Sequence, residues 1–203
     1  ANNYMLVVNA INRIKDYDWL MKNKFGDVQI RDISDSIALI ALQGPSSKNV
    51  LQNLTQFNLN DLKYYHFIED RIDNIDALIS RTGYTGELGY EIYTKSENVI
   101  SVWEKLSKVG KNYGIEPVGL ACRDTLRLEM KYLLYGSDIN EKINPLEAGL
   151  GWITKTKDKD FIGKEAILKG KKNINKRLVC IQMQERAIPR TGCKIYYKNK
   201  FIG

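Results

Sequence analysis

The chain of 203 residues is 43% hydrophobic and 27% charged, long enough for one large domain or two modest ones around a real core. No run approaches the roughly eighteen apolar residues of a membrane span and no charged-then-apolar leader is seen, so a soluble cytoplasmic protein is expected. The net charge of +7 invites a nucleic-acid partner, but the lysines are interleaved with Asp, Glu and Asn, and no RNA-binding or zinc-finger signature occurs; a lysine-rich surface is the reading, with a mild field for an anionic ligand or acidic partner.

In chain order, Tyr4-Met5-Leu6-Val7-Val8 reads as a strand. Asn9 precedes a helical pattern with Ile14, Tyr17, Leu20 and Met21 on one side, stopped near Gly26. Val28 to Asp32 and Ile37 to Gln43 are strand candidates, and Gly44-Pro45-Ser46-Ser47 is a turn whose serines cap a helix to about Leu54. Further strands are expected at Tyr64 to Glu69, Ala77 to Arg81 and Tyr90 to Thr94. The single histidine, His66, lies in the aromatic stretch YYHFIED and reads as structural, since neither a GxSxG elbow nor a paired cysteine supports it.

Ser96 with Glu97 opens a second helix, striped by Val99, Val102, Trp103, Leu106 and Val109 and closed by Gly114. Pro117 and Gly119 precede a third, through about Lys131. Cys122, Cys180 and Cys193 are odd in number and lack CxxC spacing, which argues against a disulfide framework or a zinc site. Thr154 to Lys159 reads as a linker and Gly163 to Lys169 as a short helix. Sequence of β type then runs from Arg177 to half a hairpin: Lys194 to Tyr197, a Lys-Asn-Lys turn, and Phe201 to Gly203. The chain therefore reads as α+β with a mostly antiparallel sheet and a β-rich second domain from near residue 170. Both ends look cut, so a piece of a longer protein is expected.

Three segments could carry chemistry. Arg81 to Glu91 reads RTGYTGELGYE, and its three glycines in seven residues describe a tight connection where backbone approaches something closely. If 89–94 is a strand, Gly89 and Glu91 point one way, and Tyr90 and Ile92 the other. Glu91 is then either a solvated acid on a hairpin or an acceptor for a planar group with adjacent N–H donors. In LACRDTLRLE (120–129), Arg123, Arg127 and Lys131 recur every four residues and share a helix face. That face is either solvated, with salt bridges to Asp124 and Glu129, or a fork of donors for a carboxylate or a heterocycle. The third segment, Tyr135 to Trp152, is a turn-rich loop followed by an apolar stretch with a tryptophan that packs or lines a pocket.

Together with LVVNA (6–10), ALQGP (41–45), YGSDIN (135–140) and NPLEAGLGW (144–152), these segments resemble the T-protein of the glycine cleavage system over essentially the whole chain. The resemblance implies residues 1–156 as the central part of a folate-binding aminomethyltransferase domain with a ferredoxin-like portion. It implies 157–169 as a linker and short helix, and 170–203 as the start of a C-terminal β-barrel. It implies an enzyme that passes the methylene of an aminomethyl-lipoyl arm on the H-protein to tetrahydrofolate, releasing ammonia. Glu91 resembles the acid that receives the pterin's amino-pyrimidine edge, since a carboxylate offers two acceptors to two adjacent donors. Arg123 resembles an arginine near the folate, while Tyr84, the backbone around Val7 and the amide of Asn9 would line the pocket. The family's acid beside the reacting folate nitrogen lies upstream of LVVNA, so the chain alone is expected to be almost inactive. Rival members of the superfamily are a folate-dependent demethylase and the folate module of a dimethylglycine or sarcosine dehydrogenase. The non-enzymatic relative that maintains iron–sulfur clusters carries a cysteine in a KGCYxGQE-type motif, where this chain reads Asp160-Phe161-Ile162-Gly163-Lys164-Glu165.

Overall fold

The computed structural model describes residues 3–190 and 192–203. It divides into two units, one up to Tyr132 and one from Leu133 to Gly203.

The first unit is built on four strands: β1 (Ile37–Gln43), β2 (Phe67–Ile72), β3 (Ile75–Ser80) and β4 (Gly89–Lys95). They lie in the order β1-β4-β3-β2, every neighbouring pair antiparallel. Alternation along each strand sends one set of side chains to one face. Ile40, Leu42, Ile72, Ala77, Ile79, Tyr90 and Ile92 form the buried face. Against it pack Val50 and Leu51 of α2 (Ser47–Gln52) and Val102 and Leu106 of α3 (Val99–Gly110), closed off by Leu59 and Leu62 of the loop between α2 and β2. The register puts Ile92 between Ile40 on one neighbour and Ile79 on the other. These are direct cross-strand partners, the pairs that stabilise a sheet face.

The expected stripe of α3 is present with one exception. Val99, Val102, Leu106 and Val109 pack on the core, while Trp103 stays 46% exposed on the shoulder of the stripe. Gly114, at φ +70°, ends the helical run as expected. Ile115 folds back so closely on Gly110 that a Cβ there would overlap its side chain.

Two expected strands are absent. Residues 4–8 and 28–32 have no ladder, and Val7 is 61% exposed. A strand exists only with a partner for its N–H and C=O groups, and β propensity alone supplies none. The helix expected after Asn9 forms as α1 (Arg13–Asn23), but no residue of its apolar stripe is fully buried: Tyr17 and Leu20 are half-buried, Ile14 and Met21 exposed. It is tied instead by Arg13, whose guanidinium donates to Asp32 (2.6 Å) and Asp35 (2.8 Å). Those bonds, with help from Ser34, hold the Asp32 carboxyl at about 2.

In the second unit, α5 (Lys164–Lys171) forms where a short helix was expected. Among the described residues beyond it, strand structure is confined to the hairpin of β5 (Tyr196–Tyr197) and β6 (Lys200–Phe201). Its turn is Lys198-Asn199, both at positive φ, a pairing of angles that matches hairpin twist. The remaining β-type sequence from Arg177 has no ladder, and Thr191 lies outside the described residues.

Tyr90 carries one unmet requirement. Its ring is fully buried, and its hydroxyl has no hydrogen-bond partner among the described residues; burial pushes its pKa up. Tyr90→Phe should therefore raise stability by about 1 kcal/mol, because it removes a buried donor without opening a cavity. Urea unfolding measures this, and a loss of stability would show that the hydroxyl has a partner.

Candidate functional site

The other face of the sheet is open, and its centre is Glu91. Its register neighbours are Ala41 on β1 and Ser80 on β3, two of the smallest side chains available. The carboxylate therefore stands above its surroundings, half-buried, with side-chain room on both flanks. Thr82 donates its hydroxyl to Glu91 Oε2 and also reaches Ser80 Oγ at 3.0 Å. Two residues along the same face, burial first, then the Glu91 charge and a hydrogen bond to it, push the Tyr93 phenol up to about 12. Tyr93 thus stays a neutral donor beside the acid.

The glycine segment between β3 and β4 has a separate reason for each glycine. A Cβ at Gly83 or at Gly89 would overlap the side-chain amide of Gln43. Gly86 has φ +79° and lies against Met130, so a side chain there would be both strained and crowded. Between these glycines, Tyr84 stacks on Tyr132 (ring centroids 5.7 Å apart, planes 18° from parallel), and its hydroxyl reaches the Tyr132 carbonyl at 3.4 Å.

The helix α4 (Leu120–Glu129) supplies the basic group. Arg123 places its guanidinium 4.9 Å from the centre of the Tyr84 ring, within cation–π reach, on the exposed side of the helix. The expected common face of Arg123, Arg127 and Lys131 does not form. Arg127 turns inward, only 4% exposed, donating to Asp124 (2.7 Å) and to the Tyr132 carbonyl (3.0 Å). Lys131 follows the helix in left-handed backbone at φ +61°, so helical spacing no longer fixes its direction. Arg127 instead braces Tyr132, the residue on which Tyr84 rests.

Of the five residues singled out, Tyr84 and Arg123 touch each other, and Glu91 joins Tyr84's segment through Thr82. Val7 and Asn9 do not join them. They lie in an exposed, extended stretch, and no hydrogen bond or ion pair among the described residues links either to Glu91, Tyr84 or Arg123; the Asn9 carbonyl accepts from Asn12 N–H. Gln43, Thr82, Tyr93 and Tyr132 were not singled out, and Arg127 was expected on the outer face beside Arg123. A signal for Gln43 existed in ALQGP, but nothing in the pattern told that it would lie beside glycines about forty positions away.

His66 is exposed, its Nδ1 3.0 Å from the Tyr64 carbonyl. Trp152, in the second unit, is 70% exposed rather than packed in a core. Among the described residues, no helix is long and apolar enough to cross a membrane and no group of three or more His, Cys, Asp or Glu could hold a metal ion.

Residues 1–158 match the family described as the GCVT N-terminal domain. A protein named aminomethyltransferase from Halothermothrix orenii is 46% identical over 98% of this chain, which covers 56% of that relative. Another of that name, from a Geobacillus species, is 47% identical over 98% of the chain and 56% of the relative. A crystal structure of the glycine cleavage system aminomethyltransferase T from Bartonella henselae shares 34% identity and a TM-score of 0.70, over 81% of this chain and 44% of that one. The chain spans about half the length of the curated relatives it matches.

Proposed function

The chain belongs to the GCVT N-terminal domain family, and from that premise we propose that it carries the pterin-recognition surface of a glycine cleavage aminomethyltransferase. The observation that supports this most is the Glu91 carboxylate, raised on the open sheet face between Ala41 and Ser80, with Thr82 donating to one oxygen. Each carboxylate oxygen has two lone pairs, so acceptor capacity for two adjacent ring N–H groups remains. Tyr84, with Arg123 over it, adds an aromatic face and a cation beside the same segment. That suits a flat, electron-rich heterocycle with an anionic tail.

In the reaction proposed for the whole protein, a folate nitrogen forms a bond to the methylene carbon of the aminomethyl-lipoyl arm, whose carbon–nitrogen bond breaks to release ammonia. The second folate nitrogen then displaces the lipoyl sulfur. The two N–H protons of tetrahydrofolate leave with the ammonia and the thiol, giving 5,10-methylenetetrahydrofolate and a dihydrolipoyl arm. Within this scheme Glu91, Tyr84 and Arg123 bind and orient the pterin. Holding two carriers in register is itself a large part of such a transfer. Residues 1–156 are assigned to the central part of the folate domain, 157–169 to a linker and helix, and 170–203 to the start of a C-terminal barrel. Val7 and Asn9 are kept as pocket-lining candidates on the resemblance alone.

The family motif assigns no residue of this chain as the acid beside the reacting nitrogen. The chain should therefore bind tetrahydrofolate yet form negligible methylenetetrahydrofolate from aminomethyl-loaded, lipoylated H-protein. Calorimetric titration and a product assay check the two halves. Turnover comparable with a full-length relative would overturn the second, and absence of folate binding the first.

A further inference from the structure

We propose that Gln43 is the positioning residue for Glu91: its amide pins the glycine segment 82–90 to the end of β1 and so holds the Thr82 hydroxyl where it orients the carboxylate. The inference rests on the reading of Glu91 as the ligand's acceptor.

Gln43 shares the open face with Glu91, two residues beyond Ala41 and opposite Gly89. Its Nε2 donates to the Thr82 carbonyl (3.3 Å) and the Tyr90 carbonyl (3.1 Å), while its Oε1 accepts from Thr85 Oγ1 (3.3 Å). One side chain therefore binds both ends and the middle of the excursion that separates β3 from β4. The two carbonyls need donors and the hydroxyl needs an acceptor, so only an amide in this orientation satisfies all three. Gly83 and Gly89 make the space, since a Cβ on either would overlap the amide. Beside it, the backbone bond from Gly44 N–H to the Leu88 carbonyl (2.8 Å) and the Ser47 hydroxyl on that carbonyl (3.2 Å) fix the far side of the segment. What remains adjustable without Gln43 is the near side, residues 82–85, which carries both Thr82 and Tyr84.

Glutamate at this position has nearly the same volume and neither donor, so Gln43→Glu in the full chain keeps the packing while removing both donated bonds and setting a carboxylate against the two carbonyls. Amide exchange across 83–88 should speed up about tenfold or more, and tetrahydrofolate affinity should fall about tenfold, as expected when buried carbonyls lose their donors. Gly89→Ala displaces the Gln43 amide and should reproduce both effects. The double variant Gln43→Ala with Gly89→Ala should be no worse than the poorer single one, because both remove the same bonds. Val50→Ala, in the core, serves as the contrast: it lowers the urea midpoint but leaves exchange at 83–88 relative to the global rate, and affinity of the folded chain, unchanged. Unchanged exchange in Gln43→Glu, or additive losses in the double variant, overturns the assignment. Exchange reads the pin without ligand, so failure of the pterin reading shows separately, as an affinity that Glu91→Gln does not move.

Discussion

Replacing Glu91 by glutamine should weaken tetrahydrofolate binding about 30- to 150-fold, roughly 2–3 kcal/mol, while leaving the unfolding midpoint nearly unchanged. The magnitude is that of losing charge-assisted hydrogen bonds to a planar donor pair. Thr82 sharpens the expectation. Its hydroxyl donates to Oε2 of the acid, and in the amide variant the remaining carbonyl oxygen would take that bond. The new NH2 group would then face the ligand's own N–H donors, so the loss combines a missing acceptor with a donor–donor clash. Titration calorimetry of wild-type chain and variant decides the matter. Affinities within about twofold of each other would remove Glu91 from the site, since no rearrangement lets an amide mimic two acceptors.

One residue along the strand, the same kind of substitution should do the opposite. Ile92→Ala should lower stability by about 3–4 kcal/mol, typical of a large-to-small change at a fully buried position, with little effect on the affinity of molecules that remain folded. Ile92 is 0% exposed, with Ile40 and Ile79 directly across from it on the two neighbouring strands. Both neighbours are β-branched and held in a ladder, so the cavity has little freedom to collapse. Against a domain stability of about 5–15 kcal/mol this loss is large, and urea unfolding would show it plainly. A loss below about 1 kcal/mol would mean that the sheet and its two helices do not pack around this side chain.

The contrast between residues 91 and 92 also shows what the sequence could disclose. Alternation in Gly89 to Lys95 separates Tyr90, Ile92 and Thr94 from Glu91 and Tyr93, and the buried set in the structure is the first of these. The apolar spacing of Val99 to Val109 likewise identifies a helix and its packed side. Both signals are local, because side-chain direction within one element follows from its own period. The two strands expected at 4–8 and 28–32 failed for the complementary reason: a strand is half of a pair, and no pattern within five residues says whether the other half exists.

The candidate site was legible to the same extent. Glu91 and Arg123 stood out by residue type and motif, and Tyr84 through the family resemblance. The contacts that arrange them did not, since Gln43 reaches Thr82 and Tyr90 across 39 and 47 positions. Those contacts depend on strand register, which emerges from the whole sheet. Arg127 is the instructive miss. Spacing placed it beside Arg123 on an outer face, whereas Asp124 and the Tyr132 carbonyl offer it a fully bonded interior position. Helix period gives an angle around the axis, and the partners decide whether that angle faces water.

The four-stranded sheet thus acts as a partition, with cohesion on one side and, on the reading proposed above, recognition on the other. Positions 39, 41 and 91 can be exchanged without disturbing the packed layer behind them, because each projects away from it. On the proposed reading, ligand affinity and preference can change through substitutions on the open face while folding stays constant. Libraries confined to that face would sample new specificities without first having to be rescued for stability.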